Sequence, residues 1–125
     1  MKTLISIVDD DPSVREGLMD LLRSMGFVAE TFDRAIDFLN SNRLHSTSCL
    51  IADVQMPGMT GLELNDRLIE SGNIIPTILI TAFPNPRDMA RAQRAGVNCY
   101  LTKPFTEFQL LECIREALDT EGKDS

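Results

Sequence analysis

The chain has no tryptophan, one tyrosine and one histidine, and aromatic residues make up only 6% of its 125 positions. A core for a chain of this length must therefore be aliphatic, and 43% hydrophobic residues are enough to build one. The lone histidine, His45, sits in the polar stretch 40–48 with no second histidine to complete a zinc site, and reads as a loop residue. The three cysteines, Cys49, Cys99 and Cys113, fall inside apolar segments with no C-x-x-C spacing. Odd in number and dispersed, they argue against a disulfide framework and predict buried, reduced thiols. No apolar run approaches the length of a membrane span, and the run after Met1-Lys2-Thr3 breaks at Asp9, too early for a signal peptide. The expectation is a cytoplasmic protein without a membrane partner. Basic residues are scarce, 12 Lys and Arg against 19 Asp and Glu, for a formal net charge of −7. Such a surface repels nucleic-acid phosphates, so DNA binding by this segment is not expected. It suits solubility, a basic partner or a bound cation.

What is present is an alternation of two kinds of segment. Short apolar runs without helical period occur at 4–8, 27–31, 49–52, 77–80 and 99–101, mostly continuous in apolar character, as in strands covered on both faces. Helical patterns lie between them. Val14, Leu18, Leu21, Leu22 and Met25 share one face, with Asp11 placed as N-cap, Pro12 in the first turn and Gly26 at the end. Shorter helices are predicted over 34–39, 62–70 and 86–95, the last rich in Ala and Arg and expected to pack lightly. The final helix opens on a capping box, Thr106-x-x-Gln109, with Phe105 and Leu110 as a hydrophobic staple. Residues 1–120 read as one domain and 121–125 as a polar tail. Strand–helix alternation throughout predicts an α/β fold, a doubly wound parallel sheet with helices on both faces.

In open sheets of this kind the functional crevice lies at the carboxyl ends of the strands. Asp9, Asp10 and Asp11 follow the first strand, Asp53 the third, Thr81 the fourth, and Thr102 and Lys103 the fifth. Clustered carboxylates repel each other unless a cation intervenes. A hard divalent ion such as Mg²⁺, which takes oxygen ligands and keeps waters, suits two carboxylates and a backbone carbonyl. One carboxylate is then available as a nucleophile toward phosphorus, with the ion, Lys103 and the Thr81 hydroxyl facing the phosphoryl oxygens. Asp53 is the best nucleophile, because it ends the central strand and precedes a loop, 54–61, whose amides can face the phosphoryl group. Asp11 is accounted for by its capping role.

Five segments in order, VDDD (8–11), DVQMPGMTG (53–61), ITA (80–82), AGV (95–97) and KPF (103–105), resemble the receiver domains of two-component response regulators over residues 4–118, in a style similar to FixJ-type regulators. The resemblance implies a flavodoxin-like, CheY-like sheet of five strands in the order 2-1-3-4-5. It implies that Asp53 accepts a phosphoryl group from a histidine kinase, and that Asp10, Asp53 and the backbone carbonyl of Gln55 bind Mg²⁺, with Asp9 supporting the ion. Lys103, preceding a cis bond to Pro104, would pair with Asp53 and then with the phosphoryl group. Thr81 and Tyr100 would form the switch, and the fourth helix, fifth strand and fifth helix the output surface, for an effector or for a second copy in a phosphorylation-dependent homodimer. Transcription regulation would then come through a downstream domain or protein. Phe83, two residues after Thr81, is expected at the mouth of the site as a shield against water, and the Phe83-Pro84-Asn85-Pro86 segment is expected to be stiff.

Other readings account for less of the chain. A phosphatase of the haloacid dehalogenase type would use Asp9-x-Asp11, but that removes the helix cap, and one three-residue motif is weak evidence. A flavin-type binding module needs a Gly- or Ser-rich phosphate loop where three carboxylates stand. A degenerate receiver that acts only by binding is the remaining alternative. The expectation is a signalling domain rather than an enzyme in the ordinary sense.

Overall fold

The apolar runs form strands and the periodic segments form helices, in the alternation expected. The computed structural model describes residues 3–122. Along the chain lie β1 (Leu4–Val8), α1 (Pro12–Ser24), β2 (Val28–Phe32), α2 (Ala35–Leu39), β3 (Cys49–Asp53), α3 (Gly61–Glu70), β4 (Thr77–Thr81), α4 (Pro86–Arg94), β5 (Cys99–Thr102) and α5 (Glu107–Gly122). His45 lies in a short 3-10 turn, Leu44–Ser46, within the connection to β3. The five strands form one all-parallel sheet in the order β2-β1-β3-β4-β5. The sheet is doubly wound, because parallel neighbours must be joined by crossovers and the chain supplies a helix for each.

Two hydrophobic clusters, one per face, explain why the strands read as unbroken apolar runs. Ile5, Ile7, Cys49, Ile51, Ile78 and Ile80 point to one face, where Leu18 and Leu22 of α1 and Leu110, Ile114 and Ala117 of α5 cover them. Val8, Leu50, Ala52 and Leu79 point to the other, against Phe38 of α2, Leu64 and Leu68 of α3 and Ala92 of α4. The period of two along each strand is hidden in the sequence because both faces are buried. Ser6 in the middle of β1 is a polar exception: buried, it meets Thr47 at 2.7 Å, and Thr47 gives its own proton to the carbonyl of Arg43.

The helix ends are set by local chemistry. Asp11 caps α1 by accepting the amide of Ser13 at 2.9 Å. The Thr106–Gln109 box closes in both directions at 2.8 and 3.0 Å. Two caps went unread in the sequence: a second box, Thr60–Glu63, opens α3, and Asn85 caps α4. β2 begins at Val28, one residue later than expected. The amides of Gly26 (φ 93°) and Phe27 are taken by the carbonyls of Arg23 and Leu22, closing α1 before the strand can start. The backbone of α5 continues to Gly122, past the expected start of the polar tail at Glu121. Of that tail, 123–125 lie outside the described residues.

The cysteine expectation is corrected. Cys99 at the start of β5 and Cys113 on α5 form a disulfide, with Cα atoms 5.8 Å apart. Only Cys49, buried in β3, stands as the reduced thiol expected. The bridged pair stands 14 positions apart in the chain, so nothing short of the packing of α5 on β5 could have revealed it.

The five-residue α2 has no side-chain cap and is anchored by Phe38, which is fully buried and meets Phe32 edge-on with ring centroids 5.3 Å apart. Phe38→Ala is expected to cost about 3–5 kcal/mol. A urea-denaturation midpoint lowered accordingly, at unchanged slope, is the check.

Candidate functional site

The direction of sheet growth reverses between β1 and β3. From β1 the chain moves outward to β2, then returns to lay β3 on the other side of β1. The two crossovers leave that point on opposite faces, so a crevice opens beyond the ends of β1 and β3. Asp9 follows β1 and Asp53 ends β3, which places both in the crevice.

The expected carboxylates do converge. One oxygen from each of Asp9, Asp10 and Asp53 lies within 4.8 Å of the others. Asp9 and Asp53 are buried and Asp10 is exposed. Asp11 is turned away into its cap, as expected. The Asp9 carboxylate accepts the amide of Asp11 at 2.9 Å, and its carbonyl accepts Nη1 of Arg15 at 2.7 Å. Arg15 was not anticipated. Its only signal is a cationic side chain on the first turn of α1, facing back to the strand end. Asp10 also borders a groove of about 720 Å³ shared with Arg34, Met59, Glu63 and Arg67, which opens the cluster to solvent on that side.

Lys103 arrives from the far edge of the sheet. Its amide donates to the carbonyl of Thr81 at 2.8 Å, and its bond to Pro104 is cis, as the resemblance implied. Nζ reaches Oδ2 of Asp53 at 3.0 Å and Oδ2 of Asp9 at 3.4 Å. Burial by itself lowers the lysine pKa. The hydrogen bond to Asp53 and the charges of Asp9 and Asp53 outweigh burial, and the net shift is upward. The ammonium therefore stays charged. Asp9 moves upward chiefly through burial, reinforced by the charge of Asp53 and opposed by the Asp11 amide and Lys103.

Three oxygen donors, two of them buried, with excess negative charge form a donor set that fits a hard divalent cation. The other oxygen of Asp53, Oδ1, accepts the amide of Gln55 at 3.0 Å, holding the Gln55 backbone beside the carboxylate. Gly61 permits this arrangement. A Cβ there would stand 2.5 Å from the carbonyl oxygen of Asp53, so any other residue would push the end of β3 away from the start of α3.

Thr81 is buried at the end of β4, and its hydroxyl is engaged twice. It donates to Oε1 of Gln55 and accepts the amide of Phe83 at 3.0 Å. The Gln55 side-chain contact was not anticipated, since only its backbone was singled out. The Phe83 ring is 73% exposed, so shielding of Asp53 requires the loop to close over the crevice. Tyr100 packs toward the α4 side of the sheet. Its hydroxyl is enclosed near the backbone of Asn85 but finds no hydrogen bond of good geometry. Burial, with the charge of Asp88, pushes its pKa up. The lightness of α4 is borne out: Ala92 is its one fully buried residue, and an exposed Arg91–Asp66 pair at 2.6 Å ties it to α3. No described helix is long and apolar enough to cross a membrane.

A family model described as the response regulator receiver domain matches residues 5–115. The response regulator protein TodT of Pseudomonas putida is 42% identical over 116 residues, covering 93% of this chain and 51% of TodT. The transcriptional regulatory protein FixJ of Bradyrhizobium diazoefficiens is 33% identical over 114 residues, covering 91% of this chain and 56% of FixJ. Among solved structures, the response regulator StyR superposes with a TM-score of 0.90 at 44% identity, covering 99% of this chain and 63% of StyR. The chain thus spans about half the length of TodT and FixJ.

The folded state holds the Asp9 proton more tightly than the unfolded chain does, so ionising Asp9 costs folding stability. That cost grows as pH rises above the unfolded value of 3.8 and is complete above the raised folded value. Asp9→Asn removes it while keeping an oxygen acceptor for the Asp11 amide. In chelator at neutral pH the variant is expected to melt a few degrees above the wild type, roughly the shift of a 1 kcal/mol gain. Added Mg²⁺ should stabilise the wild type more and narrow the gap. A scan with and without the ion checks both.

Proposed function

We propose a function that proceeds from one premise: this chain belongs to the response regulator receiver domain family. It serves as the phosphoryl-accepting module of a two-component system, with Asp53 as acceptor and a sensor histidine kinase as donor. The observation that carries this reading is the Asp53 carboxylate itself, buried, 3.0 Å from the Lys103 ammonium and grouped with Asp9 and Asp10.

A carboxylate oxygen of Asp53 attacks phosphorus as the phosphorus–nitrogen bond to the donor histidine breaks, leaving an acyl phosphate on Asp53. Asp10, Asp53 and the Gln55 carbonyl would hold Mg²⁺, with Asp9 supporting it indirectly or through water. When bound, the ion neutralises charge on the phosphoryl oxygens. Lys103 already contacts the acceptor and needs only to follow the charge from carboxylate to phosphoryl group. Asp9 keeps the lysine near the centre of the cluster during that transfer.

Thr81 supplies the switch. Its single proton is committed to Gln55 at rest, so a hydrogen bond to the phosphoryl group must displace Gln55. Gln55 therefore acts as a latch on the resting state, and phosphorylation shifts the population toward the state in which Thr81 has turned. Tyr100, with its unsatisfied hydroxyl, and the lightly packed α4 are the elements free to follow. The α4–β5–α5 face would then present itself to an effector domain, to a downstream protein or to a second copy of the chain. TodT and FixJ are each about twice the length of this chain, and an effector joined to the receiver is one form such an output would take. A cytoplasmic setting follows from a kinase donor of this kind.

The deciding experiment is intact mass spectrometry after incubation with Mg²⁺ and acetyl phosphate. One phosphoryl group on the wild type, absent from Asp53→Asn and lost with chelator, is expected. No adduct in folded protein would leave a receiver that signals by binding alone.

The latch has its own test in beryllofluoride, a tetrahedral phosphoryl analogue. Gln55→Leu, which frees the Thr81 proton, is expected to bind it roughly 2- to 10-fold more tightly, the factor set by one net hydrogen bond. Thr81→Ala should bind it more weakly. Equal affinity for wild type and Gln55→Leu would remove the latch.

A further inference from the structure

The Cys99–Cys113 bridge has no part in phosphoryl transfer, yet its position is not neutral. Among the described residues β5 is an edge strand, paired with β4 alone, and none of its residues is fully buried. Burial holds this strand less firmly than any of β1, β3 and β4, each buried along its whole length. The bridge ties the first residue of that strand to α5. The loop it closes spans 14 positions and contains Tyr100 and Lys103. A covalent tie across this loop removes open conformations of the segment that carries both the site ammonium and the inward-facing tyrosine.

The three cysteines differ in access. Cys99 is half-buried and Cys113 is 6% exposed, whereas Cys49 is fully enclosed in β3. Cys99 is the most exposed of the three and so the first a small reagent would meet, and the Cα separation of 5.8 Å puts Cys113 within bonding range without backbone movement. Cys49 is left as an internal reference.

We propose that Cys99 and Cys113 are a redox modification site, bridged and opened by exchange with a small-molecule disulfide, and that the bridged form clamps β5 to α5. The Cys99 thiolate attacks one sulfur of the small disulfide and releases one small thiolate. The Cys113 thiolate then attacks the Cys99 sulfur of the mixed disulfide and releases the second. Two protein thiols lose their protons and are oxidised, and one small disulfide is reduced to two thiols. Excess small thiol runs the same steps backward. A second input, independent of Asp53, would thereby act on the edge of the sheet that phosphorylation is proposed to move.

The test uses the full chain, reduced, desalted and exposed to oxidised glutathione. Peptide mapping is expected to find Cys99 linked to Cys113, reversed by dithiothreitol, with Cys49 unmodified until the protein is denatured. Amide hydrogen exchange across residues 99–113 should slow on the order of tenfold in the bridged form, with β1 and β3 unchanged. Cys113→Ser should instead stop at a single glutathione adduct on Cys99, with fast exchange retained. Failure of the wild type to form the link, a glutathione adduct in its place, or a link that leaves exchange across 99–113 unaltered would each overturn the proposal. None of these readouts involves phosphorylation, so they stand apart from the outcome at Asp53.

Discussion

The placement of Lys103 between Asp53 and Asp9 is the interaction on which the remainder of the molecule depends. Two buried carboxylates and an exposed third cannot share one crevice at neutral pH without a cation. The protein's own cation comes from beyond the opposite edge of the sheet, on a backbone held to Thr81. An ammonium that bridges strands β1, β3 and β5 makes the carboxyl ends of three separate strands one electrostatic unit. One ammonium against three carboxylates leaves the cluster with a surplus of acidic groups, a donor set that suits a hard divalent cation.

The same unit explains where the molecule is rigid and where it is not. The strands that carry the carboxylates, β1 and β3, are buried throughout and lie in the middle of the sheet. Gly61 lets α3 start hard against the end of β3, fixing the carbonyl side of Asp53. Moving toward β5, burial thins. Thr81 is held by a hydrogen bond to a side chain that can rotate away, α4 rests on Ala92 and one exposed ion pair, and the Tyr100 hydroxyl is left unsatisfied. A centre that must keep its geometry is thus joined to a margin able to change its own, and the disulfide lies at that margin.

Much of this could be read in the residues. The alternation of apolar runs and helical stripes determined the class of fold, because a strand covered on both faces and a helix covered on one leave different periods. Asp11, Pro12 and the Thr106–Gln109 box determined helix starts through bonds between near neighbours. Asp9, Asp10, Asp53, Thr81 and Lys103 were legible as a group because each directly ends or follows a strand, and parallel sheets gather such positions at one edge.

Other features belonged to the tertiary structure alone. The Cys99–Cys113 bridge depends on which face of α5 meets β5. The grip of Gln55 on Thr81 depends on how one loop folds over a neighbouring strand, and the support from Arg15 depends on the pitch of α1 above Asp9. The first two join side chains distant in the chain, the third joins a helix side chain to a backbone carbonyl six residues earlier, and no local period or cap encodes any of them. The sequence by itself determined that Asp9, Asp10, Asp53, Thr81 and Lys103 stand at or just past strand ends, since that follows from where the apolar runs stop. Only the packed structure decided which of them touch, because contact distances depend on how helices and loops settle on the sheet.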